Sequence, residues 1–186
     1  MNHTRYGYLV GAVWVSLIVT GVTPVQAQEG PIAPSEHSTP ELLTGKWTGG
    51  GSVGLLGSTP DGTALGLNGN ADYFVTERVS VGPLIQLGLT DDMTQMGLSG
   101  QMKYWVTSPA SGDRGQLYLQ GGVGAVHTDF LRDDTSWLVP LGVGYDYAIT
   151  PTVSLTSAFL VNFTDLHTGF GTGADVMPGF AFGVRF

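Results

Sequence analysis

Cysteine is missing from all 186 residues, so neither a disulfide framework nor a thiolate metal site is available to this chain. That absence does not fix the compartment, since an exported protein that closes its fold by hydrogen bonding needs no bridges. Basic residues are scarce too: seven Lys and Arg stand against fifteen Asp and Glu, for a formal net charge of −8. Neutralising phosphates takes clustered cations, so nucleic acid is excluded as a partner. Charged residues of either sign make up only 12% of the chain, well under the roughly 25–35% expected of a soluble domain's surface. Beyond residue 27 no apolar run is long enough for a membrane helix.

What is present begins with a targeting pattern. Arg5 and the free amine supply positive charge, and the 14 residues from Leu9 to Val22 are almost wholly apolar. Val25-Gln26-Ala27 then places small residues at −3 and −1 of a cleavage point before Gln28. The apolar run falls short of the 18 or more residues of a spanning helix. Residues 1–27 therefore read as a signal peptide cleaved after Ala27. Residues 28–44, with Glu29, Pro31, Pro34, Glu36, Pro40 and Glu41, read as an extended periplasmic leader with little to pack. One domain remains, 45–186.

From Trp47 onward apolar residues recur at every second position, so each strand has one greasy face. The clearest runs are Val79 to Leu89, Val139 to Ile149, Val153 to Phe163 and Phe180 to Phe186. Four weaker ones lie at about 46–56, 64–76, 96–107 and 116–128. Pro60-Asp61-Gly62, Glu77-Arg78, Asp91-Asp92, Ser108 to Gly115, Arg132-Asp133-Asp134, Thr150-Pro151 and the glycines of 169–173 separate them. Eight is an even number, as a closed antiparallel barrel with both termini on one side requires. The other face of these strands is Gly, Ser, Thr, Ala and Gln, which suits a narrow packed lumen. The greasy face then points to lipid. The fold class expected is all-β: an up-and-down, eight-stranded antiparallel transmembrane β-barrel.

Charge sorts along the same frame. If the first strand rises from the periplasm, the outer loops and strand tips hold Asp61, Asp91, Asp92, Asp129, Asp133, Asp134, Asp165 and Asp175 against Arg132 alone. Asp91, Asp92, Asp133 and Asp134 mark an acidic outer rim. Inside the strands Asp72, Lys103, Asp146 and Arg185 balance to zero, as burial demands, and a lumenal ion network of these four is expected. Aromatics gather at strand ends: Trp47, Tyr73, Tyr104, Trp105, Tyr145, Tyr147 and Phe186 at the periplasmic side, and Phe130, Trp137, Phe163 and Phe170 at the outer side. Two aromatic girdles are expected of a transmembrane barrel.

The last strand, with Phe180, Phe182, Val184 and the final Phe186, resembles the C-terminal signal by which the barrel assembly machinery recognises its clients. With the signal peptide and eight segments, residues 46–186 resemble the small barrels of the OmpA, OmpX and OmpW type. The resemblance implies insertion in the outer membrane of a Gram-negative bacterium, contact with its lipid and lipopolysaccharide, and engagement of the assembly machinery, with a monomer expected. The chain stops at Phe186, and no peptidoglycan-binding domain of the OmpA kind is expected.

An eight-stranded lumen is only wide enough for side chains, so an open porin is not expected. Short outer loops argue against a large adhesin, leaving a structural or surface-interaction role. Outer-rim acids could hold Mg²⁺ or Ca²⁺ against lipopolysaccharide phosphates, but no loop has a calcium-binding spacing, and no metal site or cofactor is assigned. Some eight-stranded barrels are lipid A deacylases, with His and, two residues on, Ser near the outer leaflet. Here His127 takes that place, followed by Thr128 and Asp129, which rebuild no nucleophile and base. His37 and His167 are the other histidines of the mature chain. No catalytic residue is assigned. Leu84 and Leu160, on the inward parity, support a third reading, a narrow route for small apolar molecules, no better than they support lumen packing.

Overall fold

The computed structural model describes residues 43–107, 114–169 and 172–186. The signal peptide, most of the leader, Asp113 and Phe170 lie outside them. Eight strands follow one another: β1 (Trp47–Thr59), β2 (Gly62–Phe74), β3 (Val79–Leu89), β4 (Thr94–Trp105), β5 (Gly115–Asp129), β6 (Asp134–Ala148), β7 (Ser154–Gly169) and β8 (Thr172–Arg185). Each pairs antiparallel with its sequence neighbours, and β8 pairs back onto β1, so the sheet is a closed barrel in simple up-and-down order. Closure leaves no free edge to be satisfied within a membrane.

Parity decides what each strand shows. Along β4 the burial alternates without a break from Thr94 to Trp105. Gln95, Ser99, Gln101, Lys103 and Trp105 point inward and are buried, while Met96, Leu98, Met102 and Tyr104 are exposed on the outer wall. Around the barrel the exposed set is apolar, with Leu55, Leu65, Val81, Ile85, Leu119, Val123, Leu141, Phe159, Phe180 and Phe182 among its members. The charged or histidine side chains of the outward positions (His127, Asp129, Asp165, His167 and Asp175) all sit near the outer ends of β5, β7 and β8. A wide apolar band with charge confined beyond one edge suits a hydrocarbon surround, where a charge at mid-depth would cost about 2–4 kcal/mol.

The strand limits differ from the sequence reading in a consistent direction. β2 and β4 each begin and end earlier, because Val75 and Val106 continue the apolar pattern but already lie in turns. Thr76 ends β2: its Oγ1 accepts the amides of Arg78 and Val79, and the amides of Val75 and Thr76 both donate to the Val79 carbonyl. β6 and β8 begin well before their alternating runs, and β7 runs to Gly169, past its own. Most of these extensions lie at the outer rim, where polar residues break the pattern without breaking the ladder.

Candidate functional site

The lumen is built in three layers. Toward the outer end lies an apolar cluster of Leu56, Ala64, Met93, Val126, Leu138, Leu166, Ala174 and Met177, with Phe130 packed on it. At the other end Phe74, Trp105 and Tyr118 form a second cluster, against which Leu43 packs from the segment before β1. Trp105 stacks on Phe74 with ring centroids 5.7 Å apart and lies 4.9 Å from the Tyr118 ring. Between the clusters the wall is mostly polar, with Gln86, Gln95, Ser99, Gln101 and Asn162 buried beside Leu84 and Leu160.

All four charges expected in the lumen face it. Lys103 Nζ lies 2.7 Å from Asp72 Oδ2, and the Asp72 carboxylate also accepts from Gln101 Nε2 at 3.1 Å and Asn70 Nδ2 at 2.6 Å. Arg185 Nε donates to Asp146 Oδ2 at 2.5 Å, and its Nη2 reaches Gln116 Oε1 at 3.1 Å. These are two separate ion pairs. Both border the aromatic cluster, with Lys103 Nζ 5.2 Å from the Tyr118 ring centre and the Arg185 guanidinium 4.8 Å from that of Trp105. Each cation thus has a carboxylate and a ring face, which lowers the cost of removing it from water.

Trp105 corrects the girdle reading. It has no exposed surface and donates from Nε1 to Ser80 Oγ at 3.3 Å, so it plugs the lumen rather than facing lipid. Phe74 and Tyr118, which the sequence reading did not single out, complete the plug. Trp47, Tyr104, Tyr145, Tyr147 and Phe186 are exposed at the same end, and Trp137 is exposed at the other. Trp47 packs on Tyr73 at 5.2 Å.

Small cavities remain between the two clusters. One of about 30 Å³ is lined by Asn68, Asn70, Gln101, Lys103, Asp146 and Arg185, among others. Another of about 20 Å³, higher in the lumen, is lined by Gln86, Gln95 and Asn162 and shares Asn68 and Leu160 with the first. Each is large enough for about one water.

At the outer rim Asp91, Asp92 and Asp133 are exposed. Asp134 differs: half-buried, it accepts the His167 amide at 2.6 Å on Oδ2. Asp61 accepts from Thr90 Oγ1 at 2.5 Å. Among the described residues no group of three or more His, Asp or Glu side chains is placed to hold a metal ion. His127 Nδ1 lies 2.8 Å from Thr135 Oγ1 on the exposed wall, and among the described residues no carboxylate forms an ion pair with its ring.

The outward residues of β8, Phe180, Phe182 and Val184, are exposed, and Phe180 and Phe182 meet edge to face at 4.6 Å. Phe186 is exposed too, and its backbone exchanges two hydrogen bonds of 2.8 Å with Gly49.

The sequence itself matches no protein-family model and no curated protein. Solved structures do match. Neisserial surface protein A is 15% identical, with 75% of this chain and 94% of that one covered, at a TM-score of 0.57. The outer membrane protein OprG from Pseudomonas aeruginosa is 13% identical, with 77% and 97% covered, at 0.53. The fold is that of the small eight-stranded outer-membrane barrels. At such identities the likeness is one of fold, and specific activities do not travel with it.

Proposed function

We propose that this protein is an integral barrel of the bacterial outer membrane with a structural or surface-interaction role, and that it is neither an open porin nor an enzyme. The observation that carries this reading is the layered lumen: an aromatic plug, two ion pairs and an apolar plug in series, inside a wall whose outer face is apolar. Its partners on this reading are the lipid and lipopolysaccharide around it and, during biogenesis, the barrel assembly machinery that reads Phe180, Phe182, Val184 and Phe186. It works as a monomer, and residues 1–27 are removed on export.

Two measurements test the reading. The protein should fractionate with outer membranes and migrate faster on a detergent gel when unheated than when boiled. Purified and inserted in a planar bilayer, it should be electrically silent. Recovery in the soluble periplasm would overturn the location, and steady single-channel steps would overturn the closed lumen.

The His127–Thr135 contact favours a second reading, a hydrolase acting on outer-leaflet lipid, because a hydroxyl and an imidazole stand within hydrogen-bond reach at the right end of the wall. It lacks a carboxylate to orient the ring. Replacing His127 by Ala should leave the acylation of lipid A unchanged, and altered acylation would revive the enzyme.

A further inference from the structure

The barrel wall is not uniform around its outer rim. Among the seams that join one hairpin to the next, β4–β5 is laddered all the way to Thr94↔Asp129. The β6–β7 seam stops at Val139↔Phe163, although both strands continue outward, β6 to Asp134 and β7 to Gly169. Both are held on their other sides: β6 by β5 as far as Thr128↔Asp134, and β7 by β8 through Leu166↔Ala174 and His167↔Gly173. Two stretches of strand, 134–138 and 164–167, therefore run side by side beyond the last rung of the ladder between them.

Side chains take the place of the missing rungs. The Asp165 amide donates to Ser136 Oγ at 3.2 Å, and the His167 amide donates to Asp134 Oδ2 at 2.6 Å. Two neighbouring irregularities fall at the same level. The β5–β6 register lapses between Gly121↔Leu141 and Gly124↔Leu138, around Pro140, which has no amide to donate. The β7–β8 register shifts between Phe163 and Leu166, and a bulge of this kind bends its strand. Both strands that flank the gap are thus free to bend there.

We propose that the outer part of the β6–β7 seam is a latch, the stretch of wall that opens locally, held shut by Ser136 and Asp134. A backbone rung breaks only if two strands move apart, whereas a side-chain acceptor lets go by rotating about its own bonds. Both bonds lie at the exposed surface, so water competes for the two acceptors. Immediately behind the seam are Leu138 and Leu166, buried members of the outer apolar cluster. Opening the latch bares that cluster to the outside while the rest of the barrel stays closed, a local opening of the kind seen in low-stability segments.

Residue-resolved amide exchange on the folded barrel in lipid nanodiscs tests this. Ser136→Ala should speed exchange of the Asp165 amide, and Asp134→Ala that of the His167 amide, each by about tenfold, the value of one net hydrogen bond. Ser136→Thr and Asp134→Asn keep an acceptor and should stay near the parent rates. The amides of β4 between Gln95 and Leu98, at the same level on a laddered seam, should not change. Because the chain has no cysteine, Leu166→Cys provides a single thiol, which should react faster with a water-soluble reagent when both acceptors are removed. Unchanged exchange at Asp165 and His167 would overturn the latch. So would an acceleration spread evenly over all eight strands, which would mean global loosening.

Discussion

Among the described residues Asp72 is the most deeply buried charge. It has no exposed surface, and its carboxylate is held by Lys103, Gln101 and Asn70. Lys103→Met should therefore destabilise the barrel by about 3–5 kcal/mol, because it strands a buried carboxylate. Removing both charges, with Asp72→Asn added, should recover most of the loss. Urea titration of the folded protein in detergent, followed by Trp fluorescence, reads both. Glycines divide on similarly local grounds. A Cβ on Gly54 would run into the backbone of β8 at Phe180, whereas one on Gly100 would meet nothing within 4 Å. Gly54→Val should block closure of the β1–β8 seam and abolish the compact band on an unheated gel, and Gly100→Val should keep it. The four lumenal charges were legible in the sequence, since parity and charge balance pick them out together. Trp105 was misread even though it shares the parity of Lys103 two residues earlier. Its proximity to the strand end suggested a girdle position, but at a barrel mouth the inward positions are also aromatic, because something must close the lumen.

β8 is the element that closes the barrel, pairing back onto β1. Its inward residues are mostly small, with Gly179, Ala181 and Gly183 facing the lumen, while its outward side carries Phe180, Phe182 and Val184. Phe186 lies just past its end, ring against Gly49 and backbone paired with it. Most rungs of the β1–β8 seam survive without the Phe186 side chain, so refolding into detergent should tolerate Phe186→Ala. Assembly in cells should not, if the terminal aromatic is what the assembly machinery reads. The expected result is a compact band from refolded protein and a several-fold drop in the outer-membrane fraction, an order-of-magnitude expectation for loss of an aromatic anchor. Equal losses in both settings would make Phe186 a stability residue only. The run Phe180 to Phe186 was visible from its alternation. The first half of β8 was not, because Ala174, Asp175, Val176, Met177 and Pro178 give no period-2 pattern, and two successive outward residues there break the parity.

At the scale of the whole molecule, the closed lumen we propose amounts to two stoppers in one tube. The outer stopper includes Met93 and Leu138, the inner one Phe74, Trp105 and Tyr118, and the polar layer with its two ion pairs lies between. Barriers in series add, so removing one should leave conductance set by the other. Met93→Ala with Leu138→Ala should therefore stay silent in a planar bilayer, and so should Trp105→Ala. Only the triple variant should pass ions. Each truncation costs about 2–5 kcal/mol of packing, so the unheated compact band must be checked first for every variant. The ordering discriminates between mechanisms. Conductance from Trp105→Ala alone would mean that the outer apolar cluster opens by itself, which the β6–β7 latch would allow, and adding Ser136→Ala and Asp134→Ala should then raise that current. Silence in the triple variant would put the barrier in the polar layer, where a cavity of about 30 Å³ lies beside Lys103, Asp146 and Arg185 and one of about 20 Å³ beside Gln86, Gln95 and Asn162.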